Sequence, residues 1–210
     1  MGYSIDWVAV KTDSPEAVWS KIGVIGTGIY RGRFALSGAM LPSGWYLMIY
    51  NHLANYDHRT IYYSRQPDLD RLSADSQVIR CEINETIMRH SAEAWNFGVE
   101  KWRVVHDSEQ GIYDLTVTGD VPDIFDAIKK KYIKEQDAEG GENAGVDFIS
   151  EIPMDLAKAI TGYKHDEYLP ELEQVHFEEL VDPETLRRRG RWPARLGASI
   201  RRHLGLDSGR

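Results

Sequence analysis

At 210 residues, with 42% of them hydrophobic and 28% charged, the chain has the composition of an ordinary globular protein, which excludes collagen, coiled coil and wholesale disorder. A chain of this length buries roughly 70% of the surface it exposes when unfolded, enough for a core that needs neither disulfides nor a structural metal. The net charge of −8 is unevenly laid out: residues 184–210 hold eight arginines against Glu184 and Asp207, which leaves −14 on the 183 residues before them.

The opening segment 4–11 is β-prone and runs into Thr12-Asp13-Ser14-Pro15, where a capping side chain before proline starts a helix carrying Val18, Trp19 and Ile22 and stopped by Gly23. A glycine-rich stretch then leads to a second predicted strand over 34–41, a turn at Pro42-Ser43-Gly44, and a strand over 45–50. That last strand is apolar on both faces, as a central strand covered on both sides must be. Residues 51–76 read as polar and irregular, with a short helix near 68–74. Segment 77–84 alternates, with Ile79, Cys81 and Ile83 on one face and Arg80, Glu82 and Asn84 on the other, and is expected as a half-buried strand. Further strands are expected over 85–95, 99–106 and 112–119, joined by links too short to house crossover helices, which makes an antiparallel meander. A helix follows from Val121-Pro122-Asp123 through Ile133, then a glycine-rich break, a strand-like segment over 146–152, and a core helix over 153–160 stopped by Gly162.

The expected fold is a single α+β domain over residues 1–180, with an antiparallel or mixed sheet of about five to seven strands and two or three helices packed mainly on one face. Residues 181–210 form a basic C-terminal extension, partly disordered or a short amphipathic helix.

Gly23, Gly26 and Gly28 superficially match a nucleotide-binding loop. Their spacing fits neither the dinucleotide fingerprint nor the phosphate-binding loop, and they follow a helix instead of leading into one, so helix termination is the simpler account. His106-Asp107 and His165-Asp166 are two His-Asp pairs without the further ligands of a metal-dependent phosphohydrolase, and neither a metal site nor a cofactor is expected. The polar run after the strand over 45–50 supplies the candidate binding residues Asn51, His52, Asp57 and His58, because strand ends entering polar loops are well placed for binding.

Glu85, His90 and His106 are the candidate catalytic residues. If the alternation of Ile79, Cys81 and Ile83 continues, Glu85 falls on the apolar face, where desolvation raises a carboxyl pKa and creates a general acid or base. The competing account is structural ion pairing, in which Arg80, Arg89 and Arg103 neutralise the nearby glutamates. Cys81 is the single cysteine and sits in mid-strand, which excludes an intramolecular disulfide and reads as a small buried hydrophobe.

An acidic body attracts basic partners and repels nucleic acid and anionic membrane, whereas the arginine-rich end does the reverse. Arg188, Arg189 and Trp192 are the candidate binding residues of that end, and Leu196, Ile200 and Leu204 recur every four residues as one apolar stripe of a short basic helix. Its candidate partners are nucleic acid, anionic lipid or the chain's own acidic body. No uninterrupted apolar run approaches membrane-spanning length, and the first residues lack the pattern of a signal peptide, so a cytoplasmic protein without a membrane span is expected.

At Gly44-Trp45-Tyr46-Leu47, Trp102-Arg103-Val104-Val105-His106-Asp107, Ile152-Pro153-Met154-Asp155-Leu156-Ala157 and Thr161-Gly162-Tyr163-Lys164-His165-Asp166, the chain resembles a group of uncharacterised bacterial proteins, over roughly residues 4–166. The resemblance implies a bacterial, cytoplasmic single domain and no activity. The first functional expectation is a non-enzymatic binding protein whose acidic body recognises a basic partner. The alternative is a small-molecule hydrolytic enzyme using Glu85 with His90 or His106.

Overall fold

Runs of β-branched and aromatic residues at period two build the strands, and glycines and capped polar turns separate them. The computed structural model describes residues 4–32, 34–52 and 67–189. Among these the strands are β1 (Ser4–Lys11), β2 (Ile25–Gly26), β3 (Leu36–Met40), β4 (Trp45–Asn51), β5 (Val78–Asn84), β6 (Arg89–Asn96), β7 (Val99–Asp107), β8 (Thr116–Gly119) and β9 (Glu178–Val181). The helices are α1 (Pro15–Ile22), α2 (Leu69–Ser73), α3 (Ile124–Ala138), α4 (Glu151–Thr161) and α5 (Pro183–Arg189). All nine strands join one sheet in the order β2-β9-β3-β4-β1-β5-β6-β7-β8. Every pairing in it is antiparallel.

β1 lies between β4 and β5, with Trp7 opposite Ile49 on one side and Cys81 on the other. Ile5, Trp7 and Ala9 share a face with Ile79, Cys81, Ala92 and Val104, and this face packs against Phe125 and Tyr132 of α3 and Ile152 and Leu156 of α4. Val8 and Val10 point the other way and pack with Tyr46, Met48 and Val78 against Val18 of α1 and Leu69 and Leu72 of α2.

The helices therefore cover both faces, which corrects the expectation that they pack mainly on one. Nine strands and five helices also exceed the expected counts, while the α+β class is as expected. The physical reason is already present in β4: residues buried on both sides require a layer on each. β5 is likewise buried on both faces and is not the half-buried strand its alternation implies, because Arg80 is only 8% exposed.

Local chemistry explains the other differences. Residues 146–152 form no strand, because the Asp147 carboxylate accepts the Ser150 N–H at 3.1 Å and turns the chain into α4. A turn occupies 85–88 before β6 begins. Only Thr116–Gly119 of the expected strand over 112–119 pairs with β7, since the Asp114 N–H bonds to the Gly111 carbonyl and the Tyr113 hydroxyl donates to Asp137 of α3. β6 and β7 join through Phe97-Gly98, whose φ values of 54° and 70° are those a two-residue hairpin turn demands. Beyond residue 180, Leu186 of α5 is buried with Ile25 and Val181.

Candidate functional site

The register of β6 and β7 sets His90 opposite His106 on the face beneath α4. His106 is wholly buried, with Nδ1 2.6 Å from the Asp114 carbonyl oxygen and Nε2 2.7 Å from Asp147 Oδ2. Both neighbours are acceptors, so the ring satisfies both only by donating from each nitrogen, as an imidazolium. Burial opposes that charge, but the hydrogen bonds to Asp147 and to the Asp114 carbonyl outweigh it and hold the His106 pKa above the ordinary histidine value. His90 goes the other way. Burial, then the charge of His106, pushes its pKa down to about 4, which leaves it neutral. Its Nδ1 meets no hydrogen-bond partner among the described residues.

Glu85, on the turn before β6, acts electrostatically on His90 and on His165. The structure thus gathers all three catalytic candidates at one end of the sheet. A general acid or base must reach substrate with a free atom. Both nitrogens of His106 are engaged, and His90 is 2% exposed. Cys81 is fully buried, and burial raises its thiol pKa well above the usual value. Among the described residues no group of His, Cys, Asp and Glu is arranged to hold a metal ion.

The opposite face carries a ladder of charges across four strands. Arg80 donates from Nη2 to Asp6 at 2.8 Å and from Nη1 to Glu93 at 3.1 Å, and Arg103 donates to the other oxygen of Glu93 at 2.6 Å. Arg80 also lies 3.5 Å from Glu82. For Glu82 and Glu93, then, ion pairing is what the structure shows. Burial raises the Asp6 pKa, but contacts with His52 and Arg80 outweigh it and hold the carboxyl below its usual range. His52 Nε2 lies 3.9 Å from Asp6 Oδ2, and that carboxylate raises the His52 pKa. Asn51 closes β4 opposite Ile5.

Of the remaining binding candidates, Asp57, His58 and Trp192 lie outside the described residues. Arg188 is bound to Glu184 at 2.5 Å and Arg189 to Glu179 at 2.8 Å, so these two cations rest on the chain's own carboxylates. In the glycine-rich stretch the Gly28 N–H donates to Glu178 at 2.6 Å, so a carboxylate of the chain occupies that donor.

A further arrangement escapes sequence reasoning. Gln136 of α3, with no exposed surface, donates to the carbonyls of Gly141 at 2.9 Å and Val146 at 3.1 Å and accepts the Phe148 N–H at 2.8 Å. It fastens segment 141–148 to the helix. The hydrogen bond from Tyr113 to Asp137 fastens segment 108–115 to the same helix end, and His106 joins the two segments. Glu109, Glu139 and Glu142 stand exposed on this scaffold, with Asp107, Asp114 and Asp147 partly buried beside them.

No lysine or arginine occurs in 104–128 or in 135–157. Among the described residues Glu109, Glu139 and Glu142 make no ion pair, whereas Glu151 and Asp155 share Lys164. α3 also ends without a basic residue in its last turn, and Glu135 and Asp137 there oppose the helix dipole by about 0.3–1 kcal/mol each. Ile87 (46% exposed) and Met88 (36%) adjoin this end, because the Met88 carbonyl accepts the Ser108 N–H at 3.1 Å. The sequence showed how much negative charge the body carries. Its gathering depends on Gln136, Tyr113 and His106 bonding to distant segments, for which no local motif exists.

These features define an α+β domain with a two-sided antiparallel sheet and an anionic end where, among the described residues, Asp107 lies 3.9 Å from Arg89 while Glu109, Glu139 and Glu142 form no ion pair. No protein-family model matches the chain, and no curated protein and no solved structure matches it. No helix among the described residues is long and apolar enough to cross a membrane.

Proposed function

We propose that this is a non-enzymatic binding protein whose anionic end receives a basic macromolecular partner. The observation that carries this reading is the exposed group Glu109, Glu139 and Glu142, held without ion-pair partners among the described residues on a scaffold that is itself closely hydrogen-bonded. Charges kept against a helix dipole cost stability in the free protein and are offset when a cationic surface docks. Ile87 and Met88 add apolar contact beside them, the pairing of apolar anchor and charged rim found at protein interfaces. The hydrolytic alternative needs Glu85 to act with His90 or His106 on a substrate, and although Glu85 is partly exposed both rings are sealed. The bacterial, cytoplasmic setting implied by the sequence resemblance is the background of this proposal.

The test is fluorescence anisotropy with a labelled oligo-arginine peptide at low and high salt, on the wild type and on the combined Glu109→Gln, Glu139→Gln, Glu142→Gln variant. Binding at low salt should weaken steeply as salt rises. The variant should bind about tenfold more weakly, at roughly 0.5 kcal/mol for each exposed charge. Salt-insensitive binding, or wild-type affinity in the variant, overturns the reading.

A further inference from the structure

We propose that His106 is a positioning residue for the anionic end: as an imidazolium bonded to the Asp114 carbonyl on one side and the Asp147 carboxylate on the other, it staples two acidic segments together, and the surface loosens when the ring loses a proton. The inference rests on the binding reading and adds the regulation of that same surface.

The geometry requires two donors. A neutral imidazole carries one N–H, so it can serve the Asp114 carbonyl at 2.6 Å or the Asp147 carboxylate at 2.7 Å, but not both. The acceptor left over then faces a ring lone pair in a buried setting, which is repulsive. The charged groups around the ring come from each neighbouring element: His90 across the strand pair on β6, Asp114 from segment 108–115 and Asp147 from the approach to α4. Glu85 and His165 act one step further out, on His90. With His90 neutral, His106 carries the positive charge of the cross-strand pair.

A shift of either partner spreads along the chain. Asp147 accepts the Ser150 N–H at 3.1 Å, and its carbonyl accepts the Ser150 hydroxyl at 2.7 Å, so its position is tied to the start of α4. The Asp114 N–H bonds to the Gly111 carbonyl at 2.9 Å, which ties the other side of the staple to the turn after Glu109.

The consequence runs against simple electrostatics. Raising the pH makes the protein more negative, which by itself strengthens the binding of a cation of fixed charge. The His106 pKa is raised in the fold, so both bonds are complete below the ordinary histidine value of 6.5 and one is lost as pH rises through the folded value. Stapling therefore predicts that oligo-arginine binds more weakly over that interval.

Three measurements on the full chain test this. Ring ¹⁵N spectra should show both His106 nitrogens protonated at neutral pH. Amide hydrogen exchange in 108–115 and 141–148, corrected for the intrinsic pH dependence of the chemistry, should accelerate about tenfold as the ring titrates. Asp147→Asn should abolish that acceleration and the pH dependence of peptide binding, because its side-chain amide can donate to a neutral ring while Nδ1 still serves Asp114. A singly protonated His106 at neutral pH, or the same acceleration in Asp147→Asn, overturns the staple. Peptide affinity that stays flat or rises through the titration overturns its link to the surface. If the spectra and the exchange behave as stated and the peptide binds at no pH, the binding reading falls and the staple stands.

Discussion

His90 and His106 stand side by side with pKa values moved in opposite directions, and each direction has its own pH window. The His90 pKa falls from 6.5 to about 4 because burial disfavours its charged form. Its contribution to stability is therefore complete above 6.5 and is lost as pH falls toward 4, since the unfolded chain takes up a proton that the folded ring refuses. A shift of this size corresponds to about 3 kcal/mol. His90→Leu should remove that portion of the acid limb from a plot of urea-derived stability against pH. An acid limb of unchanged depth between these values would show that other groups cause it.

Among elements, α3 organises the anionic end, and Gln136 is its fastening point. Replacing Gln136 with Leu leaves the Gly141 and Val146 carbonyls and the Phe148 N–H without their partner, at a cost of about 1–3 kcal/mol for each buried group that water cannot reach. The variant should unfold at clearly lower urea and lose exchange protection first in 141–148. Wild-type protection there would show that the segment holds its shape without the helix. The sequence revealed elements whose signals are local. α1 was readable because Ser14, Pro15 and Gly23 mark its ends within a few residues, and Gly23 adopts the expected left-handed φ of 74°. α4 ends at Gly162 in the same manner, with φ of 80°.

β9 was not readable. Its Glu178 and Glu179 look like surface residues, yet they are 7% and 8% exposed because Gly28, from the far end of the chain, and Arg189 bond to them. The candidate site divides along the same line. The antiparallel neighbours that carry His90 and His106 were expected, while the register that sets the two rings opposite each other, the staple and the Gln136 bonds needed the third dimension.

At the scale of the whole molecule, the two faces of the sheet differ in how they carry charge. The ladder of Asp6, Arg80, Glu93 and Arg103 ties β1, β5, β6 and β7 together on one face. Arg80→Met would take the arginine from Asp6, which is 5% exposed, and leave Glu93, which is 4% exposed, with Arg103 alone, at a cost of about 3–5 kcal/mol. Arg103→Met should cost under about 1 kcal/mol, because that side chain is 44% exposed. Equal losses in thermal or urea melts would mean that the ladder acts as one unit.

The position of β9 between β2 and β3 bears on how the molecule is assembled. While a ribosome is still making the first 177 residues, β3 has a bare edge and β2 has no neighbour to pair with, although most of the remaining sheet can already zip up. Until β9 has been made and has docked, the chain presents an open seam of the kind that can pair with stray strands.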